Sequence, residues 1–169
     1  MKLGQSYFMK DVLDVAPDLI GKILFRQFND GSVERWRITE TEAYRGEEDE
    51  ACHARKGKTP RTEVMYEEGG LIYVYLIYGM YWLLNVVTGP KDDPQAVLIR
   101  GLENIDGPGR VGKALQLNKT FYGEDLTTSL RMWIENGQDE VLYETSPRIG
   151  IDYAPDEWRL KNWRYFAKK

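Results

Sequence analysis

Cysteine and histidine are almost missing from this 169-residue chain, which has one of each, Cys52 and His53. A single cysteine excludes an internal disulfide, and one Cys with one His falls short of a zinc ligand set. No continuous apolar stretch follows Lys2, so no signal peptide is expected. The longest apolar run, around residues 71–87, is interrupted by tyrosines, Gly79 and Asn85 and does not read as a membrane span. Repeats, low-complexity tracts and linkers are also lacking. These absences leave one domain over residues 1–169, in a reducing cytoplasm, with no membrane partner. Positive charge is in slight deficit too, at a net −4, which weighs against nucleic acid. The charge is sorted, however. Arg55, Lys56, Lys58 and Arg61 cluster, as do Arg110, Lys113 and Lys119, and again Arg159, Lys161, Arg164, Lys168 and Lys169. The acidic excess lies in 47–50 and 124–144. Any one basic cluster is ordinarily a solvated face.

Aromatic residues are plentiful, and unevenly placed. Residues 73–82 read Y-V-Y-L-I-Y-G-M-Y-W, with four tyrosines and a tryptophan in ten positions. Tyr73 and Tyr75 share a face on a strand, while Tyr78 falls beside Gly79, where a tight turn is easiest. The stretch is either a core hairpin with an aromatic tip or a device that meets a flat ligand. Elsewhere, a short helix is expected over 10–20, broken or restarted at Pro17. Strands are expected over 22–28 and 33–42 around the turn N-D-G-S, then 71–77, 80–87 and 95–102. A short helix is expected over 48–55 and another over 110–118, opened by G-P-G. Segments 131–135 and 140–143 flank the turn N-G-Q-D, and a last strand covers 160–166. Hairpins outnumber strand–helix–strand units. The fold class is therefore α+β, a mostly antiparallel curved sheet with hairpins, flanked by short helices.

In W-R-I-T-E-T-E-A-Y, residues 36–44, strand alternation points Trp36, Ile38, Glu40 and Glu42 one way. Two carboxylates then continue an apolar face. Either the sheet ends there in water, or a carboxyl meets low dielectric, where its pKa rises and chemistry becomes available. His53 follows an acidic run and is structural or exposed unless a partner faces it. G-P-G-R-V-G-K-A, 107–114, matches a phosphate loop except at Ala114, where the magnesium-binding hydroxyl is lacking. The glycine-opened helix remains a general anion site. An aromatic hairpin, a carboxylate strand, a lone histidine and a glycine-basic helix start fit one task. Aromatics stack on bases, cations hold phosphates, a carboxylate activates water, and a phenol at a hairpin tip fills the gap left by an extracted base.

Taken in order, E-T-E-A-Y (40–44), E-D-E-A-C-H (48–53), T-P-R (59–61), Y-V-Y-L-I-Y-G-M-Y (73–81), L-N-V-V (84–87), V-L-I-R (97–100) and G-P-G-R-V-G-K-A-L-Q-L-N-K (107–119) resemble the alkyladenine (3-methyladenine, N-methylpurine) DNA glycosylases. The resemblance covers most of residues 8–166. It implies a compact mixed α/β domain that removes alkylated or deaminated purines from duplex DNA, without a cofactor or metal, starting base excision repair. By the resemblance Glu42 looks like the general base for water, with Arg100 as its partner and the backbone near His53 assisting. Tyr44, His53 and Tyr75 match the walls around a flipped base, and Asn85 the residue that crowds the 2-amino group of guanine. Tyr78 matches the side chain that enters the minor groove. Arg61, Arg110 and Lys113 are expected on the DNA backbone. No lysine lies in the catalytic motifs, so hydrolysis rather than Schiff-base chemistry is implied. The enzyme would be a monomer, nucleoid-associated if prokaryotic. Two rivals are a non-catalytic nucleic-acid-binding module and a small-molecule N-ribosyl hydrolase. The chain departs from the pattern in its short N-I-D-G connection (104–107) and its end at W-R-Y-F-A-K-K, departures that bear on DNA affinity and substrate breadth.

Overall fold

Runs rich in β-branched and aromatic residues, punctuated by glycine turns, build the frame of the computed structural model, which describes residues 1–169. Helices α1 (Gln5–Phe8) and α2 (Val12–Asp18) precede strands β1 (Ile23–Gln27), β2 (Val33–Arg45), β3 (Ile72–Ile77), β4 (Tyr81–Thr88), β5 (Gln95–Leu102) and β6 (Ile105–Asp106). Helix α3 (Pro108–Ala114), β7 (Met132–Glu135), β8 (Tyr143–Ser146), α4 (Asp156–Arg159) and β9 (Arg164–Ala167) complete the chain. The strands form one nine-stranded antiparallel sheet in the order β3-β4-β5-β2-β1-β7, with β9 beside β2 and β8 beside β9. The α+β expectation holds.

Strict alternation divides the sheet. Val74, Leu84, Val86, Val97, Ile99 and Ala43 enter the main apolar core with Val12, Val15, Val111 and Leu115 from α2 and α3. Their sequence neighbours Tyr73, Tyr75, Leu83, Asn85, Leu98, Arg100 and Tyr44 line a cavity on the other face. One face is therefore core and the other is site.

The expected alternation in 36–42 does not survive. Ile38 is opposite Leu102, Glu40 opposite Gly101 and Thr41 opposite Ile99, so the β2–β5 register shifts twice in four residues. Trp36 and Ile38 pack on the core, and the parity changes before Glu40 and Glu42. An extra strand residue reverses the face of everything after it. Gly101 makes the irregularity possible: a Cβ there would sit 3.0 Å from Thr39 Oγ1 and 3.1 Å from Glu40 Cβ.

Other boundaries also shift. The expected helix over 48–55 is a 3-10 turn at His53–Lys56 only. Residues before it are held by Asp49, whose carboxylate accepts from the Arg45 and Ala51 N–H groups, a local bond that competes with helix. Pro17 lies inside the last turn of α2, which ends one residue later. β7 pairs with β1 while β8 pairs with β9, so N-G-Q-D connects two neighbourhoods instead of closing a hairpin. The last strand starts later, at Arg164–Ala167, because Leu160 caps helix Asp156–Arg159 in the helical region instead of beginning a strand. Helix α3 starts at Pro108, with Gly107 at φ +96°, and ends at Ala114. Of the glycines in its phosphate-loop-like spacing, Gly107 serves the positive φ of the turn, while Gly109 and Gly112 are packing residues. A Cβ on Gly112 would meet the Trp82 carbonyl oxygen at 1.8 Å, and one on Gly109 the Tyr81 ring at 3.1 Å.

Candidate active site

The site is built where the cavity face of β2, β3, β4 and β5 meets the His53 turn and the segment 149–153. It encloses about 510 Å3, within the usual range for a small-molecule site and ample for a purine. Tyr44, His53, Tyr75 and Asn85 all line it. The rings of His53 and Tyr75 pack edge-on at 4.5 Å, and Tyr73 Oη lies 2.8 Å from His53 Nδ1. Burial, then the charges of Arg61, Arg55 and Lys56, push the His53 pKa down to about 4. The imidazole is neutral at physiological pH. Asn85 Nδ2 donates to the Tyr73 carbonyl at 3.2 Å, which fixes the amide plane.

Glu42 stands directly behind this wall, fully buried, and is joined to it by two lining residues. The Tyr44 hydroxyl donates to Oε1 and the Ile149 amide to Oε2, both at 2.7 Å. Burial raises the carboxyl above its ordinary pKa, against the opposing charge of Arg100 and these two hydrogen bonds. Glu40, two residues away, has the opposite fate. Burial acts to raise it, but hydrogen bonds from Arg164 (2.8 Å) and Arg100 (2.9 Å) outweigh that and hold its pKa below the ordinary value. Arg100 thus bonds Glu40 directly and stands 3.8 Å from Glu42. Two carboxyls on one face are driven apart, one ion-paired and one poised to take a proton.

The sequence profile of the methylpurine-DNA glycosylase family matches residues 6–107 and 103–169 of this chain. The chain belongs to that family. The two matched segments overlap at the tight β5–β6 turn, where Asn104 takes φ +67°. Among curated relatives, proteins provisionally named 3-methyladenine DNA glycosylase share 42% identity in Psychrobacter cryohalolentis (92% of this chain, 88% of theirs) and 40% in Natranaerobius thermophilus (99% and 96%). One from Sodalis glossinidius with the same designation shares 43% over 95% of this chain and 96% of its own.

In this methylpurine-DNA glycosylase family member, Tyr78 projects from the β3–β4 tip, 87% exposed, at φ +51° beside Gly79 at +64°. A tyrosine in the left-handed region is uncommon, and here it leaves an exposed phenol at the cavity rim. Arg61 lines the cavity, its guanidinium 5.2 Å from the Tyr75 ring centroid. Arg110 and Lys113 are exposed on α3 and do not line the cavity, although Pro108 of that helix does. Sequence reading missed Arg148, Ile149, Asp49 and Tyr153. Nothing local marks them: Arg148 meets Asp49 from 99 residues away and Ile149 meets Glu42 from 107. No helix is long and apolar enough to cross a membrane.

Proposed function

We propose that this protein is a single-domain, monofunctional and monomeric DNA glycosylase that hydrolyses the N-glycosidic bond of alkylated or deaminated purines in duplex DNA and so initiates base excision repair. The substrate class is 3-methyladenine, 7-methylguanine, hypoxanthine and 1,N6-ethenoadenine. The observation that carries this reading is the buried, proton-attracting Glu42 carboxyl immediately behind an aromatic cavity of purine size.

The purine swings out of the helix and lies among Tyr44, His53 and Tyr75. A cationic alkylated base gains about 0.5–2 kcal/mol from each well-placed tyrosine face. Neutral His53 adds no repulsion. Glu42 accepts one hydrogen bond at each oxygen, which leaves a lone pair on each for water. It takes a proton from that water as the sugar develops oxocarbenium character, and its negative charge steadies the sugar. Arg100, held on Glu40, lies close enough to share the water. No lysine lines the cavity, consistent with hydrolysis alone. Arg61, Arg110 and Lys113 carry the DNA phosphates.

The test is a duplex holding one hypoxanthine, ethenoadenine or 3-methyladenine, treated with protein and then alkali. Scission at the lesion is expected, and none above an undamaged duplex for all three would refute the reading. A free nucleoside released as fast as the base from DNA would favour a small-molecule hydrolase. Tyr78 supplies the wedge. Losing its stacking costs about 1–3 kcal/mol, so Tyr78→Ala is expected to lower duplex excision by about 5- to 150-fold while sparing single strands. Equal loss on both substrates would remove that role.

A further inference from the structure

Arg148 and Asp49 form an ion pair whose side chains are both fully out of solvent. Burying such a pair is a poor source of stability, because desolvation consumes the attraction, so its placement calls for another reason. The fork of Arg148 reaches four acceptors. Nη1 donates to Asp49 Oδ2 (2.7 Å) and the Ala43 carbonyl (3.0 Å); Nη2 donates to Asp49 Oδ1 (3.1 Å) and the Trp158 carbonyl (3.2 Å). Its Nε is buried without a partner, as if the other contacts dictated the pose. Asp49 also accepts from Arg45 N and Ala51 N, at 3.0 Å each. One ion pair therefore ties together the end of β2, the turn that leads to His53, and the segment whose next residue, Ile149, donates to Glu42. The guanidinium is also 4.9 Å from the Tyr44 ring centroid and 4.9 Å from that of Trp163, so it braces the tyrosine that donates to Glu42 Oε1.

We propose that Arg148, seated on Asp49, is a positioning residue for the Glu42 carboxyl: it holds the Ile149 amide on Oε2 and the Tyr44 hydroxyl on Oε1. This rests on the reading of Glu42 as the base. The Arg148 side chain is fully out of solvent and acts only through these two donors. Without it the carboxylate loses an aligned donor and a nearby positive charge, its charged form is less favoured, and it titrates at higher pH.

The test compares wild type with Arg148→Met, which keeps bulk, and Arg148→Lys, which keeps charge but not the fork. Single-turnover excision of a lesion duplex is measured against pH, with the duplex Kd, and the Glu42 carboxyl is titrated by 13C NMR. Arg148→Met is expected to lose about 100-fold in rate through misorientation. Its Kd should stay within about threefold, and its pH–rate limb and NMR midpoint should both rise by about one unit. Arg148→Lys should show the smaller shift, and it carries the test if the Met variant does not fold. An unchanged NMR midpoint with a rate within about threefold of wild type, or a loss confined to binding or melting temperature, would overturn the proposal. If wild type itself releases no base, the glycosylase reading fails, while the NMR midpoint still decides whether Arg148 tunes Glu42.

Discussion

Glu42→Gln is expected to lower single-turnover base release by about 10²–10⁴-fold, the usual worth of a positioned base, or roughly 3–5 kcal/mol of transition-state stabilisation. Binding to lesion-containing duplex should persist, because the carboxyl sits behind the cavity wall rather than in it. The substitution is nearly isosteric, and its hydrogen bonds can be kept. The amide oxygen can accept from Ile149 N, and the amide nitrogen can donate to a rotated Tyr44 hydroxyl. Excision by the wild type should rise with pH along a limb above the ordinary carboxylate value of 4.5, since burial raises Glu42. Stability runs the other way. A group whose pKa is raised on folding contributes fully below its unfolded value, and that contribution is lost as pH rises through the folded one. The melting temperature of Glu42→Gln relative to wild type should therefore improve across the same window. A Gln variant that excises within threefold of wild type would remove Glu42 from the mechanism.

The second large effect is on stability. Gly112→Ala should cost about 3 kcal/mol, the upper range for overpacking, and lower the melting temperature by roughly 6–12 °C for a chain of this length. The added methyl would meet the Trp82 backbone oxygen at 1.8 Å, and strand backbone held against β3 cannot yield as a side chain can. Helix α3 must lift from β4, and with it Pro108 at the cavity edge, so excision should fall as well. Gly4→Ala is the control. It meets nothing within 4 Å and has ordinary φ, so its change should be within about 0.5 kcal/mol. Equal melting of both variants by calorimetry would show that Gly112 is not required by packing.

These glycines show how local pattern can mislead. In sequence their spacing suggests phosphate; in space, Gly112 and Gly109 permit a helix to touch a strand. The alternation in β3 was legible because it is local: Tyr73 and Tyr75, two apart, share a face on any strand. The reading of β2 failed in its first half. Its register depends on how β5 and β9 dock, and no sequence period reports a bulge. The turn at 48–55 was misread for a related reason, since Asp49 bonds its own neighbours and a distant arginine instead of capping a helix.

By itself the sequence determined an antiparallel, hairpin-rich sheet, its aromatic tip, and the family motifs that hold two glutamates on one strand. By local chemistry it left the two glutamates equivalent, although the resemblance named Glu42 as the base. Only the tertiary structure separated them, because their partners come from remote chain: Arg100 and Arg164 reach Glu40 across 60 and 124 residues, and Ile149 reaches Glu42 across 107. A carboxyl's proton affinity follows what surrounds it, and in this protein those surroundings are assembled only when the sheet closes on the 147–151 segment.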